Sequence, residues 1–343
     1  ADRTITMHPL LLSSLSIKAS VSMGPPVIVV GLPRSGTSFV SDILSQIPGL
    51  YVFDDLYLFR EAKAIGADDG YLSASQLDKL LFFLGWQIRA RIKHGTFSVP
   101  DMTMDDVDLM MAALHELYES ERVTWFGLLE EWMMRLAVNQ GATRWGYKAP
   151  QDFLNTAMLA GIFPGVKFLF VQRDPRDMMR SLKYVHSMDG NPRQYHPVAY
   201  SLYWKACATK IKELRAQGSA PLVLHFEDLV RSPSDTAVEV ARYLDLVAPD
   251  KMLEKEKNSS FNNKRKQNLT STEIWIIENI IGSDLQLFGF SARGDKPSLL
   301  GVAEVVRVSV VFLAYQFSRI IKKKSALVSI KSFACSVLEK KRC

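Results

Sequence analysis

The chain has 343 residues, of which 48% are apolar and 23% are charged, so it is a globular chain of one large or two ordinary domains rather than a disordered, collagenous or coiled-coil one. Its three cysteines are too few for a disulfide framework or for an all-cysteine zinc site, and we predict no metal. The net charge of +6 is concentrated in residues 301–343, which carry nine basic and two acidic residues, a net +7; the other 300 residues therefore sum to −1. Because those 300 residues are nearly neutral, they lack the basic surface that nucleic-acid binding needs, and we predict no nucleic-acid partner.

The first half of the chain begins with a polar leader, residues 1–24, and then alternates strand and helix patterns. Four β-branched residues at Val27 to Val30 predict a strand buried on both faces, and a glycine-rich turn and a helix from Ser38 to Gln46 follow. A second strand is predicted at Leu50 to Phe53. From Glu61 to Asn139 the pattern is helical, with amphipathic stretches at Leu77–Lys93, Met104–Tyr118 and Trp125–Asn139.

The second half continues the alternation. Strands are predicted at Val166 to Val171 and at Pro221 to His225, each with a helix after it, the first running to Ser187 and the second over Asp235–Leu244. Residues 251–270 are polar without periodicity and predict a mobile loop. We therefore predict an α/β fold: a P-loop-like three-layer domain with a central parallel sheet flanked by helices, plus a C-terminal amphipathic helix.

The tail contains an apolar run, Leu299 to Ile321, that Glu304, Arg307 and Arg319 interrupt. Its longest uncharged stretch is shorter than the ~20 residues of a membrane span, so we predict an amphipathic helix that leads into Lys322-Lys323-Lys324. Such a tail suits peripheral contact with an anionic membrane, a partner protein, or packing on the domain.

No segment has the organisation of a secretory signal, because the apolar patch at residues 10–17 is short and broken by serines. We expect a cytoplasmic protein that can associate with membranes. The secretory pathway stays open, since the first residue is Ala and an upstream segment can have been removed. The oligomeric state is left open.

The segment Gly31-Leu32-Pro33-Arg34-Ser35-Gly36-Thr37-Ser38 has the glycine spacing of a phosphate-binding loop and lies between a predicted strand and a predicted helix. Backbone N–H groups in such a loop face an anion. A nucleoside-triphosphate enzyme would carry Lys at the position of Thr37, whereas here the cation is Arg34. A plain strand-to-helix turn is the alternative interpretation.

A second candidate anion site follows the strand that ends near Val171. Arg173 lies at the strand end and Ser181 lies eight residues later in the next helix, so both can reach one anion.

With these two loops, the chain resembles the sulfotransferases that use 3′-phosphoadenosine 5′-phosphosulfate (PAPS), in particular the tyrosylprotein, Golgi carbohydrate and bacterial types. The resemblance extends from about Pro26 to Phe290. It includes Trp145-Gly146-Tyr147-Lys148-Ala149-Pro150, similar to the family's Lys-x-Pro segment, and Leu224-His225-Phe226-Glu227-Asp228-Leu229, similar to its Tyr-Glu-Asp-Leu segment.

The resemblance implies how the cofactor is held, with PAPS as donor, PAP as product and no metal. Pro33 to Ser38 would bind the 5′-phosphosulfate through Pro33, Arg34, Ser35, Gly36, Thr37 and Ser38. Arg173 and Ser181 would bind the 3′-phosphate, Phe226 would contact the adenine, and Lys264, Arg265 and Lys266 would close over the phosphate. Phe226 replaces the usual Tyr and can stack but cannot donate a hydrogen bond. A solvated basic loop is the alternative for residues 264–266.

Sulfuryl transfer needs a base for the acceptor's proton and cations for the leaving phosphate. We predict Arg34 and Lys148 as the cations and Asp55 as the base, where the resembled enzymes carry a Glu. The alternatives are that Asp54 or Asp55 caps the next helix, and that His94 is the base, as a His is in cytosolic sulfotransferases. His186, in the helix after Ser181, is expected to face solvent or the acceptor cleft.

We divide the chain into the leader 1–24, a sulfotransferase domain 25–293 with a helical acceptor-side region 61–144, and a basic amphipathic tail 294–343. Apolar residues of the helical region are mostly core, but by position in the family they also wall the acceptor pocket: Met110, Met111, Trp125, Phe126, Trp132, Met133 and Met134. We expect the acceptor of the sulfuryl group, a small molecule or a glycan with a hydroxyl or amine, to be partly apolar. Two other functions stay open: a P-loop-type nucleotide kinase and an inactive PAP-binding module.

Overall fold

The computed structural model describes residues 15–67, 70–95, 101–188, 190–252 and 267–322. Five strands form one parallel sheet in the order β2-β3-β1-β4-β5. They are β1 (Val27–Gly31), β2 (Leu50–Phe53), β3 (Arg144–Lys148), β4 (Lys167–Gln172) and β5 (Leu222–His225).

Thirteen helices occur in the described residues: α1 (Thr37–Leu44), α2 (Leu58–Ala64), α3 (Ala74–His94), α4 (Met104–Ser120), α5 (Trp125–Asn139), α6 (Thr156–Ile162), α7 (Pro175–Met188), α8 (Pro197–Ala216), α9 (Phe226–Arg231), α10 (Pro233–Tyr243), α11 (Ser271–Ile281), α12 (Asp284–Leu287) and α13 (Leu299–Lys322). Short 3₁₀ turns lie at Ile17–Ala19, Pro150–Asn155 and Pro192–Gln194.

The sheet divides the interior into two apolar layers because successive side chains of a strand point to opposite faces. Val27 and Val29 pack on one face with α1 and α10, whereas Ile28 and Val30 pack on the other face with α5 and α8. Helices thus cover both faces, and the predicted three-layer α/β architecture is confirmed.

The four predicted strands are present, whereas β3, α8 and α11 were not predicted from the sequence. β3 has the sequence Arg-Trp-Gly-Tyr-Lys, which lacks β-branched residues, although all five of its residues are buried between β2 and β1. α8 contacts neighbours on several sides, so its sequence has no clear apolar stripe. Most of the predicted loop at 251–270 lies outside the described residues.

α13 confirms the predicted C-terminal helix. Among the described residues it is the one helix whose length and composition would allow it to cross a membrane, over Leu299–Arg319. None of that segment is buried.

Candidate active site

The parallel sheet places the carboxyl ends of its strands along one edge. Val29 of β1 lies opposite Lys148 of β3, and Gly31 of β1 lies opposite Val171 of β4. The loops that carry the predicted site residues follow these strand ends directly, so the sheet register brings them together.

The loop after β1, residues 32–36, turns sharply into α1. Arg34 and Gly36 have φ values of 70° and 98°, and the Ser35 hydroxyl donates to the Leu32 carbonyl at 2.6 Å. The first backbone bond of α1 runs from the N–H of Phe39 to the carbonyl of Gly36, at 2.9 Å. The N–H groups of the two residues before Phe39 therefore precede the helical ladder and are suited to an anion.

Arg173 and Ser181 meet at this loop, as the sequence predicts. Arg173 donates from a terminal nitrogen to the Arg34 carbonyl at 2.9 Å, and Arg34 Nε donates to Ser181 Oγ at 3.0 Å. The side chains of Arg173 and Ser181 are both almost fully buried. Arg173 Nε is buried and has no hydrogen-bond partner among the residues that the structure describes. A buried cation with an unused donor is a costly arrangement that an anionic ligand would relieve.

Phe226 packs against both Arg173 and the loop after β1. Its ring lies 4.2 Å from the Arg173 guanidinium carbon, in a cation–π contact. The ring also packs on the loop, since a Cβ at Gly36 would lie 2.2 Å from Phe226 Cδ2. Trp204 Nε1 donates to the Arg173 carbonyl at 3.1 Å. Phe226 is therefore a packed platform for the two anion loops, and its contact with adenine stays a prediction.

Lys148, the last residue of β3, is the centre of a second cluster. Its Nζ lies 3.2 Å from Asp54 Oδ1, 3.0 Å from Asp55 Oδ1 and 3.4 Å from Ser38 Oγ. The Lys148 side chain is 1% exposed, against 7% for Asp54 and 28% for Asp55. The buried lysine thus joins the carboxylates after β2 to the first turn of α1.

The two carboxylates do not cap α2. The residue before α2 is Tyr57, and no side-chain hydrogen bond caps the helix. Asp55 has φ 47°, and the N–H of Leu56 donates to the Lys148 carbonyl at 3.0 Å. This tight turn points both carboxylates to Lys148. Burial raises the pKa of Asp54, and the attraction of Lys148 opposes that rise.

Arg91 is a site residue that the sequence analysis missed. It is buried, it donates to the Asp54 carbonyl, and its guanidinium carbon lies 4.0 Å from the centre of the Phe53 ring. Burial lowers its pKa. The signal was available, since Arg91 follows Leu84 and Ile88 on the apolar face of α3, where a charged residue needs a partner.

A buried carboxyl also lies beside this cluster and was not predicted. Asp152 accepts a hydrogen bond from the Tyr147 hydroxyl at 3.1 Å, and burial raises its pKa to about 7. Tyr57 lies near both groups, and its hydroxyl donates to Asp55 at 3.2 Å. Burial raises the pKa of Tyr57 to about 12, and the charges of Asp55 and Asp152 add to the rise.

The remaining candidates are not part of these clusters. His94 is exposed in the last turn of α3, and His186 Nε2 lies 3.0 Å from the Tyr200 hydroxyl. Lys264, Arg265 and Lys266 lie outside the described residues. Within the described part of the chain, no three His, Cys, Asp or Glu side chains are grouped as a metal site would need.

The apolar residues proposed to wall an acceptor pocket are largely interior packing. Met110, Trp125 and Trp132 are buried, and Trp132 meets Phe53 edge to face at 4.9 Å between ring centres. Met111 and Phe126 retain partial exposure. A surface cavity of about 410 Å³ on α2 and α3, lined by residues such as Phe82 and Trp86, contains no member of the Lys148 cluster.

Comparisons with known proteins identify the family and the fold. A family model described as "Sulfotransferase family" matches residues 25–250. The sulfotransferase domain of the olefin synthase from Synechococcus PCC 7002 is similar in fold, with a TM-score of 0.50 and 15% identity over 79% of this chain and 96% of that one. A sulfotransferase from Mycobacterium avium has a TM-score of 0.42 and 17% identity over 84% of this chain and 81% of that one. A search of curated protein sequences finds no match.

Proposed function

Because the chain belongs to the sulfotransferase family, we propose that it moves a sulfuryl group from PAPS to a hydroxyl or amine of a small, partly apolar acceptor. The observation that carries the proposal is the pair of anion-binding loops that converge on Arg34. One loop suits the 5′-phosphosulfate, and the other supplies the buried Arg173 with its unused donor.

The residues present fit PAPS better than ATP. A second phosphate on the ribose would account for Arg173 and Ser181, which both contact Arg34. The loop has Thr37 where an ATP-binding loop has its lysine. These features disfavour a metal-dependent nucleotide kinase.

Bound PAPS would supply the sulfuryl group and a phosphate leaving group. The protein's part is then electrostatic, and Lys148 and Arg34 are the cations near the first turn of α1. Asp55 is the base, because it is the more exposed of the two carboxylates on Lys148 and so can meet an acceptor. The retained pair of Asp55 and Lys148 disfavours an inactive binding module.

The acceptor would lie next to Asp55, where Tyr57 offers an aromatic face. Tyr57 is half-buried and its hydroxyl donates to Asp55. A phenol or an apolar alcohol suits this surface better than a long polyanionic glycan, since an aromatic or apolar group can pack on the Tyr57 ring and Asp55 would repel an anionic group.

Calorimetric titration with PAP, with and without EDTA, tests the proposal. The protein should bind PAP equally in both buffers and should not bind ATP·Mg²⁺. Arg173→Ala removes a charged donor and should weaken PAP binding about 100-fold, while Ser181→Ala, which is less disruptive to the fold, should weaken it about tenfold. Arg231→Ala is the matched control, because Arg231 is an exposed arginine that pairs with Asp228. Binding of ATP·Mg²⁺ with no response to PAP would overturn the proposal in favour of a kinase.

A further inference from the structure

The C-terminal helix α13 has one face on the body of the protein. Ser309 accepts a hydrogen bond from His196 Nε2 at 2.7 Å, and Asn191 donates to the Tyr315 hydroxyl at 3.0 Å. His196 Nδ1 accepts from the N–H of Ala199, so the proton of the neutral ring is on Nε2. These bonds hold α13 along the protein surface instead of letting it project away.

A side of α13 that borders these contacts is apolar and exposed. Its residues recur at intervals of three or four, which places them on one side of a helix. The exposed fractions are 43% for Val302, 57% for Val306, 61% for Val310, 65% for Leu313 and 65% for Phe317. We name these five residues the α13 stripe; it runs ~22 Å along the helix axis.

The stripe is more apolar than the exterior of a soluble protein requires. Leu299–Arg319 has a mean hydropathy of 1.6. The one ion pair within this segment, between Glu304 and Arg307, is exposed and borders the stripe, and its two charges offset each other. A row of large apolar side chains without a covering element within the described chain is a surface built for contact.

The charge of the C-terminal tail indicates what kind of surface the α13 stripe contacts. Residues 301–343 carry a net +7, and Lys322-Lys323-Lys324 begins at the end of the helix. A second copy of the chain carries the same positive tail and so offers it no charge complementarity. An anionic lipid surface offers the apolar depth that the stripe needs and the negative charge that the tail needs.

We propose that α13 docks sideways on an anionic bilayer, with the stripe in the headgroup and acyl boundary and the lysines on the lipid charges. The hydrogen bonds from His196 and Asn191 keep the helix parallel to the protein surface, so it lies on the membrane and does not span it. This proposal does not depend on the proposed function, because it uses no residue of the anion loops.

Vesicle flotation of the full chain tests the proposal. The chain should float with vesicles of phosphatidylcholine and phosphatidylserine, should bind phosphatidylcholine alone more weakly, and should be released by high salt. The double variant Leu313→Ser/Phe317→Ser should lose at least about tenfold in partitioning, since each side chain loses much of its apolar burial. Phe82→Ser is the matched control, because Phe82 is 73% exposed on α3 and should not affect binding.

Three results would overturn the proposal. They are a wild-type chain that does not bind phosphatidylserine vesicles, a double variant that floats as well as the wild type, and a Phe82→Ser variant that loses as much binding as the double variant. Light scattering separates a fourth case. A dimer that the double variant converts to monomer, without vesicle binding by either, would assign the stripe to a second copy of the chain. Thermal unfolding by circular dichroism should show the same midpoint for all three proteins.

Discussion

Lys148 holds two neighbouring carboxylates in different environments, and this difference separates their roles. Asp54 is the more buried of the two, and burial raises its pKa. Asp55 keeps 28% of its side chain exposed and lies beside Tyr57. Under the proposed function, Asp54 would fix and partly neutralise Lys148, whereas Asp55 would reach an acceptor once the substrate displaces its ion pair.

Arg91 is a positioning residue for this pair, because it binds the Asp54 carbonyl and packs on Phe53. Arg91→Met should lower kcat for sulfuryl transfer about tenfold by loosening the turn at residues 54–55. The PAP dissociation constant should stay unchanged, since Arg91 contacts Gln87, Asp54 and Phe53, which lie outside the anion loops.

Arg89→Met is the control for Arg91. Arg89 lies on the same helix but is more exposed and pairs with Asp108. Steady-state kinetics and PAP calorimetry on both variants check the prediction. A loss of PAP affinity in Arg91→Met that matches its loss of kcat would point to general unfolding instead of positioning.

At the scale of elements, the turn from β1 to α1 depends on Gly36 for two reasons. Its φ of 98° is strained for any residue with a Cβ, and that Cβ would overlap the Phe226 ring. Gly36→Ala should lower the free energy of unfolding by about 2–4 kcal/mol and abolish PAP binding. Gly218→Ala, at φ 81° with no atom within 4 Å of its Cβ, carries strain without overlap. Urea unfolding should show the larger loss for Gly36→Ala, and equal losses would contradict the packing argument.

The anion loops were predictable from sequence because each lies next to a strand with a strong pattern. The run at Val27 to Val30 located the first loop, and the strand before Arg173 located the second. β3 was not predictable in the same way, since its burial comes from its place between β1 and β2 and not from its residue types. The contacts of Lys148 with Asp54 and Asp55 depend on that strand, so pairing across the sheet had to be seen in the structure.

At the scale of the whole molecule, the buried Asp152 makes stability depend on pH. Its folded pKa of about 7 lies above the ordinary aspartate value of 3.8, so the folded state binds more protons between these limits and stability falls as the pH rises through them. Asp152→Asn removes the titrating carboxyl group and with it this pH-dependent loss of stability. The variant should therefore gain stability relative to the wild type, by on the order of 3 kcal/mol between pH 4 and pH 8.

Urea unfolding at both pH values checks this prediction, with Asp228→Asn as control because Asp228 is exposed. The control should follow the wild type at both pH values. A constant difference between Asp152→Asn and the wild type across the range would show that Asp152 does not titrate above its unfolded pKa.

The most direct test of the account is turnover of PAPS with a panel of phenols and apolar alcohols, measured as PAP formed and sulfated product for the wild type and Asp55→Asn. The wild type should transfer the sulfuryl group. The kcat of Asp55→Asn should be lower than that of the wild type by about 10²–10⁴, with PAP affinity retained. Unchanged turnover in Asp55→Asn would remove Asp55 as the base. Tight PAP binding by the wild type without transfer to any member of the panel would contradict the proposed sulfuryl transfer and would indicate a PAP-binding module.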